Sequence, residues 1–342
     1  LVVFPRRSRT VEEKKQAFED LKPMLRPTGV MSGVMKVDPE KCSSCGLCLQ
    51  NCPYRCWEMD EQKHPRMNDT HLCFSCFNCM VACPKDAISI VRPYEVKGGF
   101  FDTGFSKIKM PLEPKDKDGN PDQWNQVERT ILERRSVRNF KKDPLPDHLI
   151  RRVLEAGRFA PSGGNHQPWK FTVVTDGALI DELESAVQAL FAGMYPAFLD
   201  DNAVMNLVEA VPTGIFEPRT QQGFSCTAKK ELPVFMNAPC VIFFGANEKL
   251  NDPALGIGVC GQNMNLTAVS LGLGFCWTNF GGKGVNSIPE LKAKLGYEDP
   301  SWTVVTAAVL GYSKFKQAGM VPRQYRPVTW FRPGSKEPQI EE

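Results

Sequence analysis

Eight cysteines carry the clearest chemistry in this 342-residue chain. Cys42, Cys45, Cys48 and Cys52 precede Pro53, and Cys73, Cys76, Cys79 and Cys83 precede Pro84, so C-x2-C-x2-C-x3-C-P occurs twice without a deviation. A thiolate at every third position lets a short loop wrap three corners of an iron–sulfur cubane while backbone N–H groups point at the sulfides. In paired runs of this kind the fourth ligand comes from the other half. Zinc is the competing reading, but it favours two C-x2-C pairs and four ligands per ion over two such triplets. Cys56 falls outside the repeat and reads as a small packing residue, as do Cys226, Cys240, Cys260 and Cys276. Crowding of most of the 13 cysteines into one segment of a long chain does not fit a disulfide scaffold. Local metal chemistry in a reducing compartment fits better.

Residues 36–92 resemble a bacterial-type ferredoxin with two [4Fe–4S] clusters. That resemblance implies that Cys42, Cys45, Cys48 and Cys83 hold one cluster and that Cys73, Cys76, Cys79 and Cys52 hold the other. Ligation crossed in this way ties the two halves together, so the module is expected to lose its fold with its iron.

A second constellation lies further along. Glu133-Arg-Arg-Ser-Val-Arg-Asn-Phe140 sets three arginines and a serine where a predicted helix ends, which by itself reads as a solvated face. Ala160-Pro-Ser-Gly-Gly-Asn-His-Gln-Pro-Trp-Lys-Phe171 then runs from a predicted helix, through small and amide residues, into a strand. Such a loop lets a planar ligand approach the backbone, and Asn and Gln both donate and accept. Together, over about residues 126–331, these segments resemble the FMN-binding nitroreductase family. Leu271-Gly-Leu-Gly-Phe-Cys-Trp-Thr-Asn279 is similar to the family's segment after its long central helix. Ala307-Ala-Val-Leu-Gly-Tyr-Ser313, with Arg323 and Arg326-Pro327, is similar to its last strand and basic tail.

The resemblance implies that Arg134, Arg135, Ser136 and Arg138 meet the FMN phosphate and ribityl region, where guanidinium groups grip phosphate oxygens in a charge-assisted fork. It places Pro161, Ser162, Gly163, Asn165 and Gln167 on the ribityl chain and pyrimidine edge across a dimer interface. It sets Trp277, Thr278 and Asn279 near the flavin N5 and O4, and gives Arg323 and Arg326 to the phosphate. His166 receives no catalytic role, and the flavin carries the chemistry without a protein general base. Between Ala178 and Pro233 the likeness fades. Phe191, Tyr195, Phe198, Phe216 and Phe224 are either the substrate face of the flavin or core. Gly256-Ile-Gly-Val-Cys-Gly261 spells G-x-G-x-x-G, but no strand precedes it, no acid follows about 20 residues later, and it falls inside a predicted helix, so it is not read as a nucleotide site.

The elements that must position these groups imply an α+β chain. It has an N-terminal ferredoxin-like domain and a C-terminal nitroreductase-like α/β/α domain with a mainly antiparallel sheet. The expected divisions are an arm and helix (1–35), the cluster domain (36–92), a linker lying along a surface through Phe100, Phe101 and Phe105 (93–125), the FMN domain (126–331) and a tail (332–342). Residues 11–24 read as an amphipathic helix with Ala17, Phe18 and Leu21 on one side. Strands are predicted at Phe171–Thr175, Cys240–Phe244 and Thr303–Leu310, and a long helix from Pro253 to Leu271. Asp147 is a candidate helix cap, and Ser287-Ile-Pro-Glu290 has capping-box spacing. From Ser313 onward neither period appears, so that stretch is expected to drape over another surface.

Composition excludes other classes. Hydrophobic residues make up 42%, ample for cores of about two domains, so the chain is neither disordered nor collagen-like. Lys and Arg number 42 against 39 acids with no long like-charge run, so nucleic acid is not an expected partner. No apolar stretch approaches the ~18 residues of a membrane span. The chain begins at Leu1 with Arg6, Arg7 and Arg9 before its first acid and lacks the apolar core of a secretory signal. A cytoplasmic protein is expected, or an organelle-matrix one if this start is a processed one.

The combination implies an oxidoreductase, working as a homodimer. A low-potential donor protein such as ferredoxin loads two [4Fe–4S] clusters, and FMN passes the electrons to a nitroaromatic, quinone or other conjugated acceptor. Two alternatives stand beside it. One is a non-catalytic electron-transfer or assembly subunit of a larger redox complex, and the other is a reductive dehalogenase-like or flavin-modifying member of the same fold.

Overall fold

The computed structural model describes residues 10–25, 30–96, 108–210, 218–250, 252–317, 319–324 and 327–341. Arg6, Arg7, Arg9, Phe100, Phe101, Phe105, Phe216 and Arg326 lie outside them. Short antiparallel pairings frame the cysteine loops: Val34–Val37 with Ile88–Arg92, and Trp57–Met59 with Pro65–Met67. The helices Leu47–Asn51 and Asn78–Ala82 each carry the third cysteine of a run and end at the fourth. The buried apolar set here is small, with Met35, Trp57, Phe77 and Ile88 joined by Cys48, Cys56, Cys73 and Cys79 themselves. So few apolar groups give little burial energy, which is the usual situation of a fold completed by metal.

The larger sheet has the order Gly274–Thr278, Trp302–Gly311, Cys240–Asn247, Trp169–Val174, antiparallel throughout. Cys240–Asn247 is buried over nearly its whole length because both faces are covered, which is why it reads as an unbroken apolar run. On one face Phe243, Ala307 and Val309 pack with Leu183 and Val187 of the helix Gly177–Met194. On the other, Ile242, Phe244 and Leu310 pack with Val153 of Asp147–Arg158 and Met264 of Pro253–Ser270. Helices on both faces of an antiparallel sheet make this an α+β chain.

The glycines of the G-x-G-x-x-G stretch serve packing. A strand does precede their helix, contrary to the sequence reading, but the glycines lie within the helix and not in a turn. A Cβ on Gly256 would reach Pro168, and one on Gly261 would come within 2.0 Å of the Trp277 ring.

Two helix starts differ from expectation. Asp147 is the first helical residue, with Pro146 at the cap. Ser287 closes the preceding helix, its Oγ donating to the Lys283 carbonyl, and Ile288 caps Pro289–Lys294. A proline at the first helical position needs no side-chain cap, because its missing N–H is one of the unpaired donors. Capping boxes form elsewhere, at Asn125 with Glu128, which starts Gln126–Glu133, and at Thr10 with Glu13, which starts Val11–Leu25.

Val11–Leu25 is helical and packs on the helices Asp201–Ala210 and Pro218–Ala228. The stretch after Ser313 drapes over the cysteine module: Val321 and Ile108 join its core, and Arg323–Gln324 pairs with Ile108–Lys109. Among the described residues no helix is long and apolar enough to cross a membrane.

Candidate redox site

The two cysteine runs follow one backbone path. Ser44 and Ser75, Gly46 and Phe77, and Arg55 and Asp86 all take left-handed φ, and each pair has the offset that separates Cys42 from Cys73. The N–H of Cys56 donates to Cys52 Sγ at 3.2 Å, and the equivalent N–H of Ala87 donates to Cys83 Sγ at 3.3 Å. Left-handed turns that present N–H groups to sulfur suit a cluster, whose potential is set in part by such bonds. Cys52 stands near enough to Cys73, Cys76 and Cys79 to act on them electrostatically, and Cys48 lies near Cys42 and Cys45. Burial pushes the Cys48 thiol up to about 11 and raises Cys76 and Cys79, so metal binding here displaces protons. Cys56 does more than fill space. Its thiol bonds those of Cys52 and Cys73 and reaches the Leu72 carbonyl at 3.2 Å.

The arginines converge at the edge of the larger sheet. Ser136 bridges to Phe275, and the Val137 N–H donates to the Phe275 carbonyl at 3.1 Å, so this segment lies beside Gly274–Thr278. Burial, then the neighbouring Arg323 and Arg138, lower Arg134. Burial, then Arg323 and Arg134, bring Arg135 down to about 10. Cations crowded until each disfavours the next form a site for an anion such as phosphate. Arg135 is tied to its own loop, its guanidinium donating to the carbonyls of Leu132, Arg134 and Gly319, with Nε buried and unpartnered. Arg138 acts on Arg134 and also on the cysteine module. Burial disfavours its charge, yet the thiols of Cys276, Cys76 and Cys52 and the Tyr54 hydroxyl hold it above its ordinary value.

Thr278 is buried, donates to the Val234 carbonyl at 2.7 Å and accepts from Gly281 N–H, while Asn279 accepts from the Thr306 hydroxyl at 2.6 Å. The Trp277 ring packs on Phe244 and Phe275. These three side chains are engaged by the fold. Phe191 and Phe224 stack on each other and on Phe280 inside the core, away from a substrate role. The Pro161–Gln167 loop turns through left-handed Gly164, Asn165 and Gln167, and Ser162 Oγ accepts from Gln167 N–H at 3.0 Å. It precedes the edge strand opposite Ser136, four strand spacings or roughly 19 Å across the sheet. Trp169 pairs with Ala246, whereas Phe275 aligns through Leu310 with Cys240, so loop and arginines occupy diagonally opposite corners. The structure does not bring them together within one chain.

Against known proteins, residues 131–312 match the model "Nitroreductase family", just over half of the chain. The chain belongs to the nitroreductase family. Residues 35–58 match the "4Fe-4S binding domain" model, so this family member carries a ferredoxin-type segment ahead of its nitroreductase portion. An NADH dehydrogenase of Thermus thermophilus is 49% identical over 55 residues, which are 16% of this chain and 27% of that protein. A ferredoxin of Pyrobaculum islandicum is 40% identical over 53 residues, 16% of this chain and 49% of that one. The matched segments thus span about a quarter and about half of these relatives. A nitroreductase from Desulfitobacterium hafniense, solved with bound FMN, aligns at 25% identity and TM-score 0.47 over 61% of this chain and 100% of its own.

Sequence reasoning missed the seam between the ferredoxin-type segment and the nitroreductase portion. Asn139 donates to the Gln50 carbonyl at 2.8 Å, Gln317 to Asn51 Oδ1 at 2.8 Å, and Arg55 to the Glu231 carbonyl at 2.6 Å. A cavity of about 990 Å³ opens along this seam, its wall including Cys52, Arg55, His71, Arg138, Glu231 and Lys314. Nothing in residue spacing marks those partners, because each bond joins side chain to backbone or amide far away in sequence.

Proposed function

We propose that this nitroreductase-family protein is a homodimeric oxidoreductase fed through two [4Fe–4S] clusters. Cys42, Cys45, Cys48 and Cys83 hold one cluster, and Cys73, Cys76, Cys79 and Cys52 hold the other. Arg134, Ser136, Arg138, Arg323 and Arg326 hold the FMN phosphate, with Arg135 shaping their loop. The backbone of Trp277, Thr278 and Asn279 lies along the isoalloxazine, and Pro161, Ser162, Gly163, Asn165 and Gln167 reach the site from the second subunit. The diagonal separation of loop and arginines supports that dimer requirement. When bound, the clusters supply one-electron storage and FMN supplies the conversion of single electrons into pairs. We read 36–92 and 126–331 as the corresponding domains, and a nitroaromatic, quinone or other conjugated molecule as the acceptor.

One observation carries the reading: the Arg138 guanidinium is held charged by the thiols of Cys276, Cys76 and Cys52 while its own charge acts on Arg134. This supports the second cysteine set as the one nearer the flavin site, and exposed Cys45 supports the first set as the one nearer a donor protein. The test is anaerobic stopped-flow reduction of the full chain, with iron and FMN measured in the same sample. Fast flavin bleaching by reduced ferredoxin but not by NADH or NADPH is the expected result. Equal bleaching by a nicotinamide nucleotide in iron-free protein overturns it.

A further inference from the structure

Away from the cysteine runs and the arginines, three side chains of different chemistry meet on the seam. The ligand atoms of His71, Cys226 and Glu231 all lie within 4.8 Å of one another. His71 comes from the ferredoxin-type segment. Cys226 lies in the last turn of the helix Pro218–Ala228, and Glu231 follows in the turn after it. That turn is fixed, since the Cys226 carbonyl accepts from the N–H groups of Glu231 at 2.8 Å and Leu232 at 3.2 Å. The approach of His71 is fixed as well. Leu72 N–H donates to Gln222 Oε1 at 2.9 Å and Gln222 Nε2 returns to the Leu72 carbonyl at 3.3 Å, tying the neighbour of His71 to the helix of Cys226.

The hydrogen bonds also orient the imidazole. Thr70 Oγ1 lies 2.6 Å from Asn68 Oδ1, an acceptor, so the hydroxyl proton is committed there. Thr70 Oγ1 lies 2.9 Å from His71 Nδ1 and must therefore accept the Nδ1 proton. The Nε2 lone pair is left facing Glu231 Oε2 at 3.8 Å, too long for a direct hydrogen bond. The Cys226 thiol already hydrogen-bonds the Glu231 carboxylate, so all three donor groups converge, and a cation that takes the place of the thiol proton meets all of them. An oxygen that accepts the Nδ1 proton is the usual partner of a metal-bound histidine, fixing its tautomer and orientation.

We propose that His71, Cys226 and Glu231 form a divalent-metal site, matched to zinc, that staples the ferredoxin-type segment to the nitroreductase portion. One imidazole nitrogen, one thiolate and one carboxylate are zinc's ordinary donors, and a tetrahedral ion sets them roughly 3.5 Å apart. Binding replaces the Cys226 proton, which is released to solvent, and the thiolate and carboxylate together neutralise the ion. Arg55 and Lys229 stand close to Cys226, and the Arg55 guanidinium is directed at the Glu231 carbonyl. His71 and Glu231 both line the 990 Å³ cavity, so the fourth position opens to water there.

The test uses the full, iron-loaded chain, purified anaerobically, given zinc sulfate and desalted. Zinc, iron and FMN are counted, and the zinc K-edge absorption fine structure is recorded. The expected result is about one zinc per chain with one sulfur among nitrogen and oxygen neighbours. In Cys226→Ser and Glu231→Gln, zinc retention falls at least about tenfold while iron is unchanged. Glu231→Gln, at a half-exposed position, carries the test if Cys226→Ser fails to fold. Desalted protein without zinc, marking an ordinary ion pair, overturns the proposal, and so does zinc with four sulfur neighbours, marking the cysteine runs. Iron and FMN counts from the same sample report on the redox reading separately.

Discussion

Gly46 and Phe77 occupy equivalent points of the two cysteine runs in the same left-handed conformation, φ 70°, ψ 7° and φ 60°, ψ 11°. Glycine takes that conformation freely, whereas for phenylalanine it costs about 1–2 kcal/mol. The Phe77 ring offsets this by being buried, 3% exposed, in the core of the module. Phe77→Ala loses the ring and keeps the strain, while Phe77→Gly loses the ring and relieves it. Both variants are expected to be less stable than wild type, with glycine above alanine by about 1 kcal/mol, the reverse of the usual order. Thermal loss of visible cluster absorbance measures this, and alanine equal to or above glycine refutes it.

The arginines are expected to separate by role. Arg134 is free to grip an anion, so Arg134→Ala weakens FMN binding by roughly 2 kcal/mol, about thirtyfold, the scale of a charged hydrogen bond. Arg135 is bound to three carbonyls, so Arg135→Met lowers the melting temperature more than it lowers affinity per bound flavin. Fluorescence titration with FMN, run beside thermal unfolding, tells the two apart.

Much of the architecture was legible because it rests on local pattern. The Cys240–Asn247 strand and the Pro253–Ser270 helix are apolar with a distinct length and stop signal, and the cysteine spacing leaves little choice of chemistry. Helix starts were less legible. Ser287 is an equally good residue for closing one helix or opening the next, and only the Lys283 carbonyl within its reach decides. The direction in which Arg135 and Arg138 point was not legible at all. Three arginines in one short run look alike until Gly319, Cys52 and Cys76, all distant in sequence, are brought beside them.

Arg138 next to Cys52 and Cys76 implies an electrostatic effect on one cysteine set and not the other. A positive charge favours the reduced, more negative cluster, so Arg138→Met is expected to lower its midpoint potential. With a partly exposed charge contributing about 1 kcal/mol, the shift is on the order of 40 mV for one electron. An EPR-monitored redox titration reads this, with the set containing Cys42, Cys45 and Cys48 as internal control. Equal shifts in both signals would place Arg138 wrongly.

The G-x-G-x-x-G stretch gives the sharpest contrast between packing and nucleotide binding. Gly261 touches the Trp277 ring, and a Cβ there would stand 2.0 Å from it, so Gly261→Ala forces the ring or helix to move. Overpacking of that kind costs about 1–3 kcal/mol. Gly258, in the same helix, has nothing within 4 Å of where its Cβ would lie. Gly258→Ala therefore stabilises by about 0.5–1 kcal/mol, because alanine is the better helix former. A nucleotide-binding turn behaves differently, since both substitutions would then weaken NADH binding while stability changed little. Chemical denaturation of the two variants, with NADH affinity measured alongside, distinguishes the cases. Opposite signs of stability change with no nicotinamide effect are the outcome expected of a helix shaped to lie on Trp277.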